Sequence, residues 1–259
     1  MLGGLLMSYF LYQGHQIYYE DIGKGKPVIF LHGNTASSKM FQFLLPFYSQ
    51  YRVILIDFLG NGRSERLTSF PENIWIEWGK QTIALVEHIR TTEPHFRPSL
   101  IGTSGGAWAA INAALEAPEK IDKVVADSFD GRDHLDPSFA QSVIKEREDA
   151  KQDENAWQFY AWCQGEDWEQ VVEQDTQTLI FCAEKQLPLF ATSIERLKNP
   201  LLLTGSRADS MVFSGFEQEY RKLAKILPQV QIYLFDQGDH PSILTNAEGT
   251  AKIICEFLK

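Results

Sequence analysis

Cysteine is scarce in this chain of 259 residues, which contains only Cys163, Cys182 and Cys255. The number is odd and no two are spaced C-x-x-C, so a disulfide framework is not expected and a reducing, cytoplasmic setting fits best. Long apolar runs are also missing. None approaches the ~18 residues of a membrane-spanning helix. The opening "MLGGLLMSYF" is apolar but short, with no basic residue ahead of it and no clear cleavage site, so it does not read as a signal peptide. Met7 is an alternative start, which would make residues 1–6 upstream sequence. An excess of basic residues is absent too: 34 acids against 24 bases leave a net charge of −10. That balance provides no electrostatic footprint for nucleic acid or an anionic membrane. Internal repeats, low-complexity tracts and heptads are lacking, which removes solenoids and coiled coils.

What is present is an ordinary globular composition, 44% hydrophobic and 22% charged, with enough apolar material for a large core. Residues 8–13 and 15–20 meet at Gly14 and read as a hairpin. Short apolar strands follow at 28–31, 51–57, 98–102 and 123–127. They alternate with helices expected over 38–49, 73–90 and 106–117, the last ended by Pro118. The alternation stops over 131–198 and returns with a strand at 199–205, a helix at 216–227, a strand at 230–235 and a helix at 248–258. In the 216–227 helix Phe216, Tyr220, Leu223, Ala224 and Leu227 share one face. Such alternation predicts an α/β fold with a mostly parallel sheet covered by helices on both faces. The interruption is too long for a loop and reads as an inserted helical cap. The expected division is therefore a core of 1–130 and 199–259 with a cap of 131–198.

The stretch "SLIGTSGGAW" at 99–108 carries the chemistry. Gly102-Thr103-Ser104-Gly105-Gly106 satisfies G-x-S-x-G between a strand and a helix, the setting of a sharp turn that exposes one hydroxyl. A side chain forced into an unfavourable backbone region needs neighbours without bulk. A serine hydroxyl also needs a base in reach and an acid to orient that base. Of the six histidines, His240 in "DQGDHPS" stands just beyond the last strand. Its plainer reading is a cap before the final helix. His32, at a strand tip, reads as a turn former. His15, His88, His95 and His134 have no motif support. Asp209, in "LLLTGSRADSMV", ends the preceding strand. One helix and one strand separate Asp209 from His240, which brings both to the carboxyl edge of a parallel sheet, where Ser104 also lies.

With those residues in view, the chain resembles the α/β-hydrolase fold family over roughly 15–130 and 199–258. "VIFLHGN" resembles the family's His-Gly turn, "DFLGNGRS" its D-x-x-G-x-G-x-S loop, and "GDHPS" its histidine loop. The resemblance implies a serine hydrolase with Ser104 as nucleophile, His240 as proton carrier and Asp209 as its orienting acid. It also implies that the backbone N–H groups of Asn34 and Gly105 form the oxyanion hole, and that Asp57 braces a turn without doing chemistry. The family often has its acid as G-x-x-D, whereas here Ala208 holds that place and Asp209 follows one residue later. "DSMV" fits the usual D-x-x-V run, so a longer turn is the preferred reading, with Asp130 and Asp127 as alternative acids.

The cap holds fourteen acids and seven bases, a net −7. This disfavours anionic substrates by long-range attraction, although a solvated helix surface is the plainer account. Trp157, Phe159, Tyr160, Trp162 and Trp168 are expected to pack the cap onto the sheet, some of them lining an acyl pocket. Halide-binding dehalogenases of this fold carry an asparagine like Asn34 but use an aspartate nucleophile, which Ser104 argues against. The leading expectation is hydrolysis of a small carboxylic ester, thioester or lactone. Carbon–carbon bond hydrolases, and proline-type aminopeptidases with their G-x-S-W-G, are the enzymatic alternatives. A receptor-like protein that keeps the triad is the alternative from another class. Partners are a small-molecule substrate and at most a second copy of the chain, as monomer or homodimer, without nucleic acid or membrane. No cofactor is called for, and His32, His240 and the acids do not form a spaced metal-ligand set.

Overall fold

The structure, a computed structural model, describes residues 6–259. The reading of Met7 as a start concerns residues 1–6, of which 1–5 lie outside the described residues. An eight-stranded sheet runs in the order β1-β2-β4-β3-β5-β6-β7-β8. The strands are β1 (Leu6–Tyr12), β2 (His15–Gly23), β3 (Lys26–Leu31), β4 (Tyr51–Ile56), β5 (Ser99–Thr103), β6 (Val124–Asp127), β7 (Leu201–Ser206) and β8 (Val230–Phe235). The β1–β2 and β2–β4 pairings are antiparallel, and every later pairing is parallel.

Successive side chains of a strand point to opposite faces, so the apolar runs feed two cores at once. Ile29 and Leu31 of β3 pack on one side with Ile54 and Ile56 of β4. Val28 and Phe30 pack on the other with Val53 and Leu55. The first core lies under α1 (Ile74–Arg90) and α2 (Gly105–Glu116). Helix α1 begins where the Asn73 side chain accepts the Ile76 N–H, and it buries Trp75, Trp78, Leu85, Val86 and Ile89. Helix α2 is alanine-rich because it is enclosed: Ala107, Ala109, Ala110, Ala113 and Ala114 are all buried. On the second face, residues 38–48 form a 3-10 helix rather than the expected regular one. Pro46 sits inside it and removes a backbone donor that an α-helix would use.

Between β6 and β7 come three α-helices, α3 (Ser138–Gln152), α4 (Glu154–Gln164) and α5 (Trp168–Glu184), and a short 3-10 turn at Ile194–Arg196. Gln164 fastens this insertion to the core. Its Oε1 accepts the Gly62 N–H at 2.7 Å and its Nε2 donates to the Ala36 carbonyl at 2.9 Å. Arg66 pairs with Asp167 at 2.7 Å nearby. The aromatic residues depart from expectation, because they pack largely on one another. Trp157 stacks on Trp168, Tyr160 lies against Trp168, and Trp162 is exposed beside Phe43. The chain then returns through β7, α6 (Phe216–Ile226) and β8, with Phe216, Tyr220, Leu223 and Leu227 buried. The final helical stretch is split into α7 (Ser242–Thr245) and α8 (Ala247–Phe257).

The crossing of α2 over the sheet leaves no room for one Cβ. At Gly106 a methyl group would run into the carbonyl oxygens of Leu31 and His32. Neither is a flexible side-chain end that could swing away. Gly106→Ala is therefore expected to destabilise the fold by about 1–3 kcal/mol, the range for overpacking a close-packed site. Urea unfolding of the two proteins measures it.

Candidate active site

Ser104 joins β5 to α2 with φ 53° and ψ −125°. A non-glycine residue with such a φ is strained by about 1–3 kcal/mol and persists only where its surroundings over-determine it. They do so here. The Ser104 N–H donates to the Asp127 carbonyl at 2.9 Å, and its own carbonyl accepts the Ala107 N–H at 2.9 Å. A Cβ at Gly102 would overlap the Gly106 carbonyl, so the strand and the helix meet backbone to backbone around the serine.

His240 lies in the loop between β8 and α7. Its Nδ1 is 2.9 Å from Oδ2 of Asp209, whose side chain is fully buried. The other oxygen of Asp209 accepts the N–H groups of Met211 and Val212 at 3.0 and 3.2 Å. Those two bonds hold the carboxylate in the turn that carries it one residue past Ala208. A proton on Nδ1 directed at the carboxylate leaves Nε2 as the basic nitrogen. A further carboxylate, not anticipated from sequence, joins the two loops. Asp239 Oδ1 accepts the Ser210 N–H at 3.0 Å, the Ser210 hydroxyl at 2.8 Å and the His240 N–H at 2.8 Å. These bonds, the Ser210 N–H foremost, hold the Asp239 carboxyl below the ordinary range. Only its adjacency to His240 in "GDH" hinted at it.

Ser104 and His240 both line two adjoining cavities. An inner one of about 70 Å³ is walled by Trp75, Trp108, Phe139 and Leu179. An outer one of about 560 Å³ is walled by Met40, Phe159, Tyr160 and Leu244. Phe139, Phe159 and Tyr160 are thus aromatic residues of the insertion that face the site. Arg147, Asn34 and Met211 touch both cavities.

The alternative acids have partners of their own, although Asp130 also lines the inner cavity. Asp127 is fully buried and accepts the hydroxyls of Thr103 and Thr204 and the N–H of Ile243 at 2.8–2.9 Å. Burial pushes its carboxyl up to about 6, against the pull of those donors. Asp130 pairs with the Arg132 guanidinium at 2.6 Å. Asp57 braces its loop, accepting the N–H groups of Ser38 at 2.7 Å and Arg63 at 2.8 Å. His32 is fully buried; its Nε2 accepts the Phe58 N–H at 3.1 Å, so the proton sits on Nδ1, 2.8 Å from the Gly33 carbonyl. Burial pushes its pKa down and keeps it neutral. It holds the turn before Asn34 in place. His15 and His134 lie beside Glu65 and Asp133 at the surface.

Gly105 opens α2, so its N–H has no acceptor within the helix. Asn34 stands over it with both ends of its amide occupied. The Trp75 indole N–H donates to Asn34 Oδ1 at 2.8 Å, and Asn34 Nδ2 donates to Asp175 at 2.7 Å. A Cβ at Gly105 would strike that amide and the indole, so the place beside the serine is filled from outside the motif. Asp175 and Arg147 were not legible as site residues, since in sequence both are charges on acidic amphipathic helices. Among the described residues, no group of three or more His, Cys, Asp or Glu is arranged to hold a metal ion, and no helix is long and apolar enough to cross a membrane.

Residues 28–253 match the Alpha/beta hydrolase family. Among curated proteins, the chain is similar to a proline iminopeptidase of Xanthomonas citri, 32% identical over 40% of this chain and 32% of the relative. It is also similar to a pimeloyl-[acyl-carrier protein] methyl ester esterase of Shewanella woodyi, 30% identical over 40% of this chain and 36% of the relative. The matched region thus spans about a third of the length of these relatives. Among solved structures, 2-hydroxy-6-oxo-6-phenylhexa-2,4-dienoate hydrolase from Rhodococcus sp. strain RHA1 superposes with a TM-score of 0.72 over 99% of both chains. At 17% identity that likeness speaks for the fold alone.

The raised Asp127 carboxyl has a consequence for stability. The folded state holds this proton more tightly than the unfolded chain, where an aspartic acid titrates near ~4. The resulting stabilisation is present below about pH 4 and is lost as pH rises through the folded value of about 6. The stability of the wild type relative to Asp127→Asn should therefore fall by on the order of 2–3 kcal/mol between those limits. Denaturant unfolding of both proteins across that pH range measures it, and a flat or rising difference would contradict the assignment.

Proposed function

The chain belongs to the alpha/beta hydrolase family, and from that premise we propose that it is a serine hydrolase of a small carboxylic ester, thioester or lactone. The observation that carries this reading is the 2.9 Å pair of Asp209 and His240 beside a strained Ser104 that shares its cavities with the imidazole. In the proposed reaction Ser104 Oγ adds to the acyl carbon while His240 Nε2 takes its proton. The carbonyl oxygen becomes an oxyanion that receives the backbone N–H groups of Asn34 and Gly105. Collapse expels the alcohol or thiol, which collects the proton from His240, and leaves an acyl-enzyme. Water then adds by the same route in reverse, restoring the serine. Asp209 keeps the imidazole in the working tautomer and stabilises its charged form.

The substrate class is supported by the inner cavity, whose volume of about 70 Å³ suits a small group held among Trp75, Trp108 and Leu179. In this reading residues 131–198 act as a cap that excludes water from the acyl-enzyme, and no cofactor takes part. A carbon–carbon bond hydrolase would use the same three residues, so the substrate panel that tests the proposal must include a vinylogous diketone and an N-terminal prolyl amide. Turnover confined to either of those would replace the ester reading.

The acid assignment separates most sharply by mutation. Asp209→Asn is expected to lower kcat on the best ester by roughly 10⁴-fold, the cost of the wrong imidazole tautomer. Asp130→Asn should stay within a few fold of wild type. The reverse ranking in steady-state kinetics would move the acid to the end of β6.

A further inference from the structure

We propose that Asp175, from the helical insertion, is a positioning residue that sets the oxyanion-binding N–H of Asn34 through the Asn34 side chain. The proposal rests on the serine hydrolase reading and extends it to a part of the chain far from the catalytic motifs.

The geometry is a continuous line of polar contacts from core to insertion. The Trp75 indole donates to one end of the Asn34 amide at 2.8 Å, and the other end donates to Asp175 Oδ2 at 2.7 Å. Asp175 Oδ1 lies 3.4 Å from an Arg147 nitrogen, and Arg147 donates to the Tyr160 hydroxyl at 2.9 Å. Trp75 belongs to α1, Asp175 to α5, Arg147 to α3 and Tyr160 to α4, so Asn34 is gripped from both sides of the cleft. The next residue, Thr35, has φ 58°, a conformation that asparagine's neighbour adopts only under constraint. With the side chain fixed at both ends, the peptide N–H of Asn34 has one orientation available, which preorganised oxyanion binding requires.

Stability alone is a poor reason for this arrangement. Asp175 is fully buried, and taking a carboxylate out of water costs several kcal/mol unless its partners are excellent. Burial pushes its carboxyl up, with Arg147 and Asn34 pulling against it. The Arg147 contact is long, and Arg147 Nε is buried without a hydrogen-bond partner. Among the described residues, the one short side-chain bond of Asp175 is to Asn34. Apolar residues in place of both Asp175 and Arg147 would pack without that cost, so the carboxylate has its use at the site.

The test reads the oxyanion directly. A trifluoromethyl ketone adds Ser104 Oγ to its carbonyl carbon; the C=O electron pair moves to oxygen and the serine proton moves to His240. Its affinity therefore reports the oxyanion donors. Asp175→Leu is expected to weaken trifluoromethyl ketone binding and to lower kcat, each by about tenfold or more, with KM within about twofold. Asp175→Asn, which keeps an acceptor opposite Asn34, should recover most of both. Asn34→Ala combined with Asp175→Leu should be no worse than the worse single variant, since the two act in series. The indole N–H signal of Trp75 in ¹H–¹⁵N spectra should move in Asp175→Leu, which checks the tether without any turnover. If Asp175→Leu does not fold, Asp175→Ser takes its place, because its hydroxyl is too short to reach the amide. Wild-type ketone affinity in a folded Asp175→Leu or Asp175→Ser, or full additivity with Asn34→Ala, would overturn the proposal. A wild type that binds the ketone no better than Ser104→Ala does would overturn the hydrolase reading and the positioning role of Asp175 with it.

Discussion

The backbone of Ser104, held at φ 53°, is the constraint on which the rest of the site depends. That conformation turns the chain from β5 into α2 within one residue and stands the hydroxyl clear of the sheet edge. It exists because Gly102 and Gly106 let strand, helix and the neighbouring β3 carbonyls approach without a Cβ between them. It is secured by the hydrogen bond from Ser104 to the Asp127 carbonyl on β6. Asp127 in turn collects donors from Thr103, Thr204 and Ile243, which ties β5, β7 and the start of the last helices to one buried carboxyl. The residue that the sequence offers as an alternative acid thus works as the knot beneath the serine.

Around that fixed point, each side chain of the site reaches its place by a loop with its own fastening. Asp209 spends one oxygen on its turn and the other on His240. Asp239 bonds the Asp209 loop to the His240 loop, so the distance between Asp209 and His240 is set by backbone donors as well as by the pair itself. His32 and Asp57, both buried, hold the loops after β3 and β4. The helical insertion is fastened by Gln164 at the end of α4 and by Asp175 at the cleft. It is therefore a wall of the site built from the middle of the chain.

Much of this was legible in sequence, for physical reasons that differ by residue. Strands buried on both faces are continuous apolar runs, so β3, β4, β5 and β7 announced a parallel sheet. The serine turn requires glycines at fixed offsets, so Gly102 and Gly106 marked Ser104. The meeting of Asp209 and His240 was legible because one helix and one strand between them return the chain to the same sheet edge. Asp175 and Arg147 were hidden, since a charge on an acidic helix looks solvated until the tertiary structure encloses it. The contact that defines Asp175 spans 141 positions and follows no periodicity. The 3-10 form of residues 38–48 and the mutual stacking of Trp157 and Trp168 were likewise decided by packing. Trp75 was legible as a core residue but not as a hydrogen-bond donor, because apolar spacing says nothing of an indole N–H.

The central claim is that Ser104 is an activated nucleophile, and a covalent phosphonyl adduct tests it most directly. Fluorophosphonate phosphorus is attacked as an acyl carbon is, with fluoride leaving and the serine proton passing to the base. Intact mass spectrometry followed by peptide mapping should find one adduct per chain, on the peptide that carries Ser104, and none in Ser104→Ala. A wild-type protein that stays unmodified, or one modified equally in Ser104→Ala, would contradict the account.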